Sequence, residues 1–162
     1  SALAVISIYK NVFKLNENIF LKFKTPGGRG DHSVIKLNGK KLNLIDQSYN
    51  SNPLSLKSAI KNFDKIDSKK SNKYLLIGDM LELGDLSKEA HQNAVKQVSE
   101  NGVDVLFTLG DAFNQVQTEN IEGYQFSDRE KLHQLLIEEI KPGDKVLVKG
   151  SRGMKMERYI DV

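Results

Sequence analysis

Apolar residues change their spacing several times along the chain, and each change marks an element. From about Ala2 to Phe13 and from about Glu17 to Phe23 they recur at helical intervals, with Asn16 placed to cap the second segment. Thr25-Pro-Gly-Gly-Arg-Gly30 interrupts that pattern, and a proline with three glycines in six residues predicts a boundary or hinge. From Ser33 to Asp46 apolar and polar residues alternate on both sides of Asn38-Gly39. That dipeptide suits the two positive-φ positions of a type I′ turn, so a β-hairpin is predicted. Pro53 then fits the first turn of a helix reaching about Phe63.

The remaining pattern alternates between short apolar runs and helical spacing. Strands are predicted at Tyr74–Gly78, Asp104–Gly110, Gly123–Phe126 and Lys145–Val148, the third of them weak. Helices are predicted from Ser87 to Glu100, from Asp111 to Thr118 and from Ser127 to Ile140, with Ser127-Asp-Arg-Glu130 read as a capping box and Pro142-Gly143 as the stop. A further helix is expected from about Met154. Strands separated by helices imply parallel pairing, so the predicted fold is a Rossmann-like three-layer α/β sandwich, mostly parallel, with an antiparallel hairpin at its N-terminal side.

Composition narrows the class. The 162 residues are 39% hydrophobic and 28% charged, as expected of one globular domain with a short appendage. The net charge of +3 comes from lysines scattered among acidic residues, which gives nucleic-acid binding no support. The lysine-rich piece Lys65–Lys73 reads as a solvated connection. With no cysteine, disulfides and thiolate metal sites are excluded, which suits a reducing cytoplasm. The apolar run Ser1–Tyr9 is too short to span a bilayer. It begins mid-pattern, so the chain is expected to be a piece of a longer protein.

In open α/β sheets ligands bind beyond the carboxyl ends of the strands. Four segments fall there: Asp46-Gln-Ser-Tyr-Asn-Ser-Asn-Pro53, Gly78-Asp-Met-Leu-Glu-Leu-Gly84, Gly110-Asp111 and Lys149-Gly-Ser-Arg-Gly153. In the last, Gly150 and Gly153 allow a tight turn, Ser151 offers a hydroxyl, and Lys149 and Arg152 supply positive charge. A following helix would add its N-terminal dipole, so a carboxylate or phosphate is the natural guest. A plain turn with its charges facing water stands level with that reading. Asp79 and Glu82 can pair as acid and base, or can simply cap the next helix.

No phosphate-loop or dinucleotide fingerprint occurs, and Gly28-Arg-Gly-Asp-His-Ser33 does not follow a strand. A nucleophile elbow is also lacking. His32, His91 and His133 have no ligand-spaced partners, so no metal site is assigned, and His91 is expected to be a packed or surface residue.

The loops Asp46–Pro53 and Gly78–Gly84 and the stretch Leu147-Val-Lys-Gly-Ser-Arg-Gly-Met-Lys-Met-Glu157, in this order and spacing, closely resemble the C-terminal domain of the Mur ligase family. The likeness is to the branch that adds D-alanyl-D-alanine to UDP-N-acetylmuramoyl-tripeptide in peptidoglycan synthesis. It implies that residues 1–26 are the terminal helices of a truncated central ATPase domain, 27–32 a glycine-rich linker, and 33–162 the amino-substrate-binding domain. It also implies ATP-driven amide formation through an acyl phosphate in the cytoplasm, with Mg2+ held by the missing central domain. By position, Arg29, Asp46, Tyr49, Asn50 and Asn52 would contact ATP. Asp79, Glu82, Lys149, Ser151 and Arg152 would bind the dipeptide. Gln47 departs from the family, which often carries a second aspartate there. No catalytic residue is assigned, and the chain alone is expected to be inactive. The competing expectation is a free-standing Rossmann-like module for an anionic small molecule or a protein partner.

Overall fold

A computed structural model describes residues 27–68, 70–118 and 121–159 of the chain. The two helices expected between Ala2 and Phe23 lie outside the described residues. Six strands form one sheet: β1 (Asp31–Leu37), β2 (Lys40–Gln47), β3 (Lys73–Gly78), β4 (Val105–Leu109), β5 (Glu122–Phe126) and β6 (Lys145–Lys149). Their spatial order is β1-β2-β6-β3-β4-β5. The β1–β2 pair is antiparallel, and every other neighbouring pair is parallel.

The hairpin turn follows from its two residues. Asn38 and Gly39 have φ of 46° and 78°, which asparagine and glycine tolerate, and this sets the register Leu37↔Lys40. Three helices follow: α1 (Pro53–Asp64), α2 (Ser87–Ser99) and α3 (Arg129–Glu139). Asn52 caps α1, accepting the amide of Ser55 at 2.8 Å while the Ser55 hydroxyl accepts the Asn52 amide at 3.1 Å.

The two-residue period of the strands divides the core into layers. Leu75, Ile77 and Leu147 meet Leu56, Ile60, Phe63, Val95 and Val98 of α1 and α2 on one face. Their sequence neighbours Tyr74, Leu76, Val146 and Val148 meet Leu132, Leu136 and Ile140 on the other, together with Met156 and Tyr159 from the C-terminal segment.

Three local expectations are corrected. The helix expected over 111–118 is only a 3-10 turn at Phe113–Gln115, because Val116 already turns extended towards β5. The cap of α3 is Asp128 rather than Ser127: its carboxylate accepts the amides of Glu130 and Lys131, which leaves no capping box. No α-helix starts near Met154 either. Two 3-10 turns, Arg152–Met154 and Met156–Tyr159, are separated by Lys155 at φ 50°, so that Met156 and Tyr159 can enter the core.

Candidate functional site

The parallel strands β2, β6, β3, β4 and β5 end on one edge of the sheet, so the loops after them are neighbours. Beyond β2 the chain leaves for the α1 face, and beyond β6 it leaves for the opposite face with Met156 and Tyr159. Adjacent strands whose continuations diverge open a crevice at their carboxyl ends. Here that crevice is a cleft of about 360 Å³ lined by Gly28, Arg29, Gln47, Tyr49, Asn50 and Lys149.

Each wall has a local cause. Gly28 adopts φ +76°, and a Cβ there would lie 2.9 Å from the Tyr49 amide nitrogen, so only glycine allows this segment to approach the loop. The Gly28 carbonyl accepts the Tyr49 amide at 3.1 Å, and the Gly30 amide donates to the Asp46 carbonyl at 2.7 Å. Arg29, held between these bonds, lays its guanidinium 4.2 Å from the Tyr49 ring centroid. Asp46, the last residue but one of β2, accepts the Ser48 amide at 2.9 Å.

Lys149 is 4% exposed, and its ammonium donates to the Asn50 carbonyl at 2.8 Å. Burial away from water pushes its pKa below the usual lysine value. The next residues, Gly150 and Ser151, cross beneath the rim. A Cβ on Gly150 would meet Met156 at 2.4 Å, so Met156 fills the space that a side chain would take. The Ser151 hydroxyl accepts the Leu81 amide at 2.8 Å and donates to the Ser51 carbonyl at 3.2 Å, while the Ser151 amide donates to the Asp79 carbonyl at 3.3 Å. The loops after β2, β3 and β6 are thereby tied into one rim.

Asp79 stands under this rim rather than open to it. It is 6% exposed, and its two carboxylate oxygens accept the amides of Ala112 and Phe113, each at 3.0 Å. His91 is fully buried and braces the same loop from α2. Its Nε2 accepts the Met80 amide at 3.0 Å and its Nδ1 lies 2.7 Å from the Ser87 carbonyl, which fixes the tautomer with hydrogen on Nδ1. The 3.7 Å approach of Asp79 to Nε2 is therefore a contact with a hydrogen-bond acceptor, not an ion pair.

Of the residues singled out in sequence, Arg29, Tyr49, Asn50 and Lys149 share one cleft. Asp79 lines a neighbouring cavity of about 450 Å³ with Asp111, Leu81 and Gly153. Arg152 is exposed at the boundary, 3.1 Å from the Glu157 carboxylate and 6.0 Å from the Tyr49 ring. Glu82 is exposed in a left-handed conformation with φ 64°. Asn52 is engaged in the cap. The helix dipole expected behind Gly153 is absent, since the amides of Met154 and Lys155 bond back to Ser151 and Arg152. The stacking role of Tyr49 and the brace of His91 carried no local signal beyond their place in or after the loops. A more apolar groove of about 430 Å³ lies between α1 and α2, away from these polar groups, with Leu54 and Leu86 on its walls.

Residues 33–152 match the family model described as Mur ligase, glutamate ligase domain. The chain belongs to the Mur ligase family. Among curated relatives of this Mur ligase domain, the UDP-N-acetylmuramoyl-tripeptide--D-alanyl-D-alanine ligase of Bacillus subtilis is 32% identical over 127 residues, 74% of this chain and 27% of the relative. The ligase of the same name from Buchnera aphidicola is 34% identical over 120 residues, 73% of this chain and 26% of the relative. The Mur ligase domain thus spans about a quarter of the length of these relatives. The crystal structure of MurF ligase from Thermotoga maritima in complex with ADP superposes with a TM-score of 0.76 at 24% identity, covering 98% of this chain and 35% of that one. This last likeness supports the shared fold.

Proposed function

We propose that this chain is the C-terminal part of an ATP-dependent ligase that joins D-alanyl-D-alanine to UDP-N-acetylmuramoyl-tripeptide in the cytoplasm. In this reading residues 1–26 end the central ATPase domain, 27–32 form the linker, and 33–162 receive the amino substrate. The observation that carries the reading is the cleft between the ends of β2 and β6, where Arg29, Tyr49, Asn50 and Lys149 meet in a family whose named relatives perform this ligation.

The reaction expected of the whole protein passes the terminal phosphoryl group of ATP to the tripeptide carboxylate. The amine of the dipeptide then attacks the acyl phosphate and phosphate leaves. The residues of this chain would bind and orient. Tyr49 offers a ring face to the nucleotide and Asp46 an acceptor to the ribose hydroxyls, while Asn50 and Asn52 border the same loop. Arg152 takes the dipeptide carboxylate, with Ser151 and Asp79 holding its loop in place and Glu82 at the rim. In this reading Mg2+ is held by the central domain, where it would neutralise phosphoryl oxygen charge.

The proposal is tested by replacing the corresponding domain of the Bacillus subtilis ligase with this chain and following phosphate release. The chimera should turn over only when ATP, D-alanyl-D-alanine and the UDP-linked tripeptide are all present, and the 162-residue chain alone should stay at background. A folded chimera that ignores the dipeptide, or turnover by the chain alone, would overturn it.

A further inference from the structure

We propose that Lys149 and Arg29 together form a phosphate-binding site in the cleft between β2 and β6, so that Lys149 serves the nucleotide and not the carboxylate of the dipeptide. The inference rests on the reading that a nucleotide enters this cleft, and it reverses the assignment that sequence order suggests for Lys149.

Three observations carry it. First, Lys149 opens into the cleft that Arg29, Tyr49 and Asn50 line, whereas the neighbouring cavity at Asp79 and Asp111 contains no cation in its wall. Second, the two cations of the cleft lack counter-charges. Among the described residues neither Lys149 nor Arg29 makes an ion pair, and the cleft lining contains no carboxylate, since Gln47 stands where an acid could have been. Arg152, by contrast, is already matched by Glu157 at 3.1 Å. Third, the Lys149 side chain is fixed at the cleft wall: the residue is 4% exposed overall, and its ammonium donates to the Asn50 carbonyl at 2.8 Å.

An ammonium carries three donors, and the Asn50 carbonyl engages one of them, so two remain to meet the oxygens of a ligand in the cleft. A phosphate fits better than a carboxylate. It offers several anionic oxygens, enough to meet a point-charge donor on one side and a planar guanidinium on the other. The lowered pKa of Lys149 agrees with this geometry, because an arriving anion restores the stabilisation that burial removed.

The test uses the 162-residue chain with three probes, inorganic pyrophosphate, adenosine and D-alanyl-D-alanine, titrated by nuclear magnetic resonance. Lys149→Met should weaken pyrophosphate by roughly ten- to a hundredfold, the loss typical of a charge-assisted contact, and leave adenosine and the dipeptide unchanged. Arg29→Ala should do the same to pyrophosphate. On the unsubstituted chain, saturating pyrophosphate should raise the pKa of the Lys149 ammonium, a measurement that needs no variant to fold. An ammonium that does not respond, pyrophosphate that does not bind, or a Lys149→Met effect confined to the dipeptide would each overturn the proposal. Failure of adenosine to bind while pyrophosphate binds would instead sink the nucleotide reading and leave the phosphate site standing.

Discussion

The amide of Leu81 donates to the hydroxyl of Ser151 at 2.8 Å, although the two residues lie 70 positions apart. The same hydroxyl donates to the Ser51 carbonyl, so one oxygen joins the loops that follow β2, β3 and β6. Ser151→Ala leaves the Leu81 amide and the Ser51 carbonyl without that partner. A loss of about 1–3 kcal/mol is expected from urea unfolding, the usual cost of an unsatisfied buried group. An unchanged midpoint would show that the rim is held by other bonds.

Arg152 separates stability from function. Its exposed pair with Glu157 contributes about 0–1 kcal/mol, so Arg152→Ala should leave unfolding almost unaltered. In the chimeric ligase the same substitution should raise the dipeptide KM roughly ten- to a hundredfold. Unaltered dipeptide kinetics would remove Arg152 from the site.

Asp79 should behave in the opposite way. Its carboxylate accepts the amides of Ala112 and Phe113 at the start of a short 3-10 turn. Asp79→Ala is expected to destabilise the chain by about 1–3 kcal/mol and to speed hydrogen exchange at those two amides first. Exchange that accelerates evenly across the sheet would contradict this local role.

Asp46 and Arg152 should also divide the two substrates. In the chimera, Asp46→Ala should raise the KM for ATP and spare that for the dipeptide. The reverse result would mean that the ends of the site are exchanged.

Lys149 sets an alkaline signature. Burial lowers its folded pKa below the unfolded value of 10.5, so between those two values the unfolded chain carries a proton that the folded chain has released. Stability contributed by this group therefore rises with pH through that window and is flat below it. Tyr74, whose pKa is raised from 10.0 chiefly by burial, works against stability as pH passes 10.0, as does Tyr124 beside the Glu122 carboxylate. Both are common to the parent and Lys149→Met, so the difference in stability between the two should climb in the parent's favour through the window. A difference independent of pH would show that Lys149 is not desolvated.

Much of the fold was legible because it is written in short-range preferences. Asn38-Gly39 admits the positive φ angles of one turn type, Pro53 suits a helix start, and the unbroken apolar run Tyr74, Leu75, Leu76 and Ile77 matches a strand covered on both faces. The expected segment 111–118 and the segment after Met154 misled for one reason. Their conformation is set by distant groups, Asp79 in the first case and the gap beside Gly78 and Gly150 that receives Met156 in the second.

The amino-acid sequence by itself determined the α/β class, the hairpin and the loops that carry the polar residues, since backbone preference and residue period act over a few neighbours. Only the tertiary structure decided the company each side chain keeps. It placed β6 between β2 and β3, and so delivered Lys149 to Asn50 and Ser151 to Leu81. Burial and charge pairing depend on which strands become neighbours, and that depends on how the whole core packs.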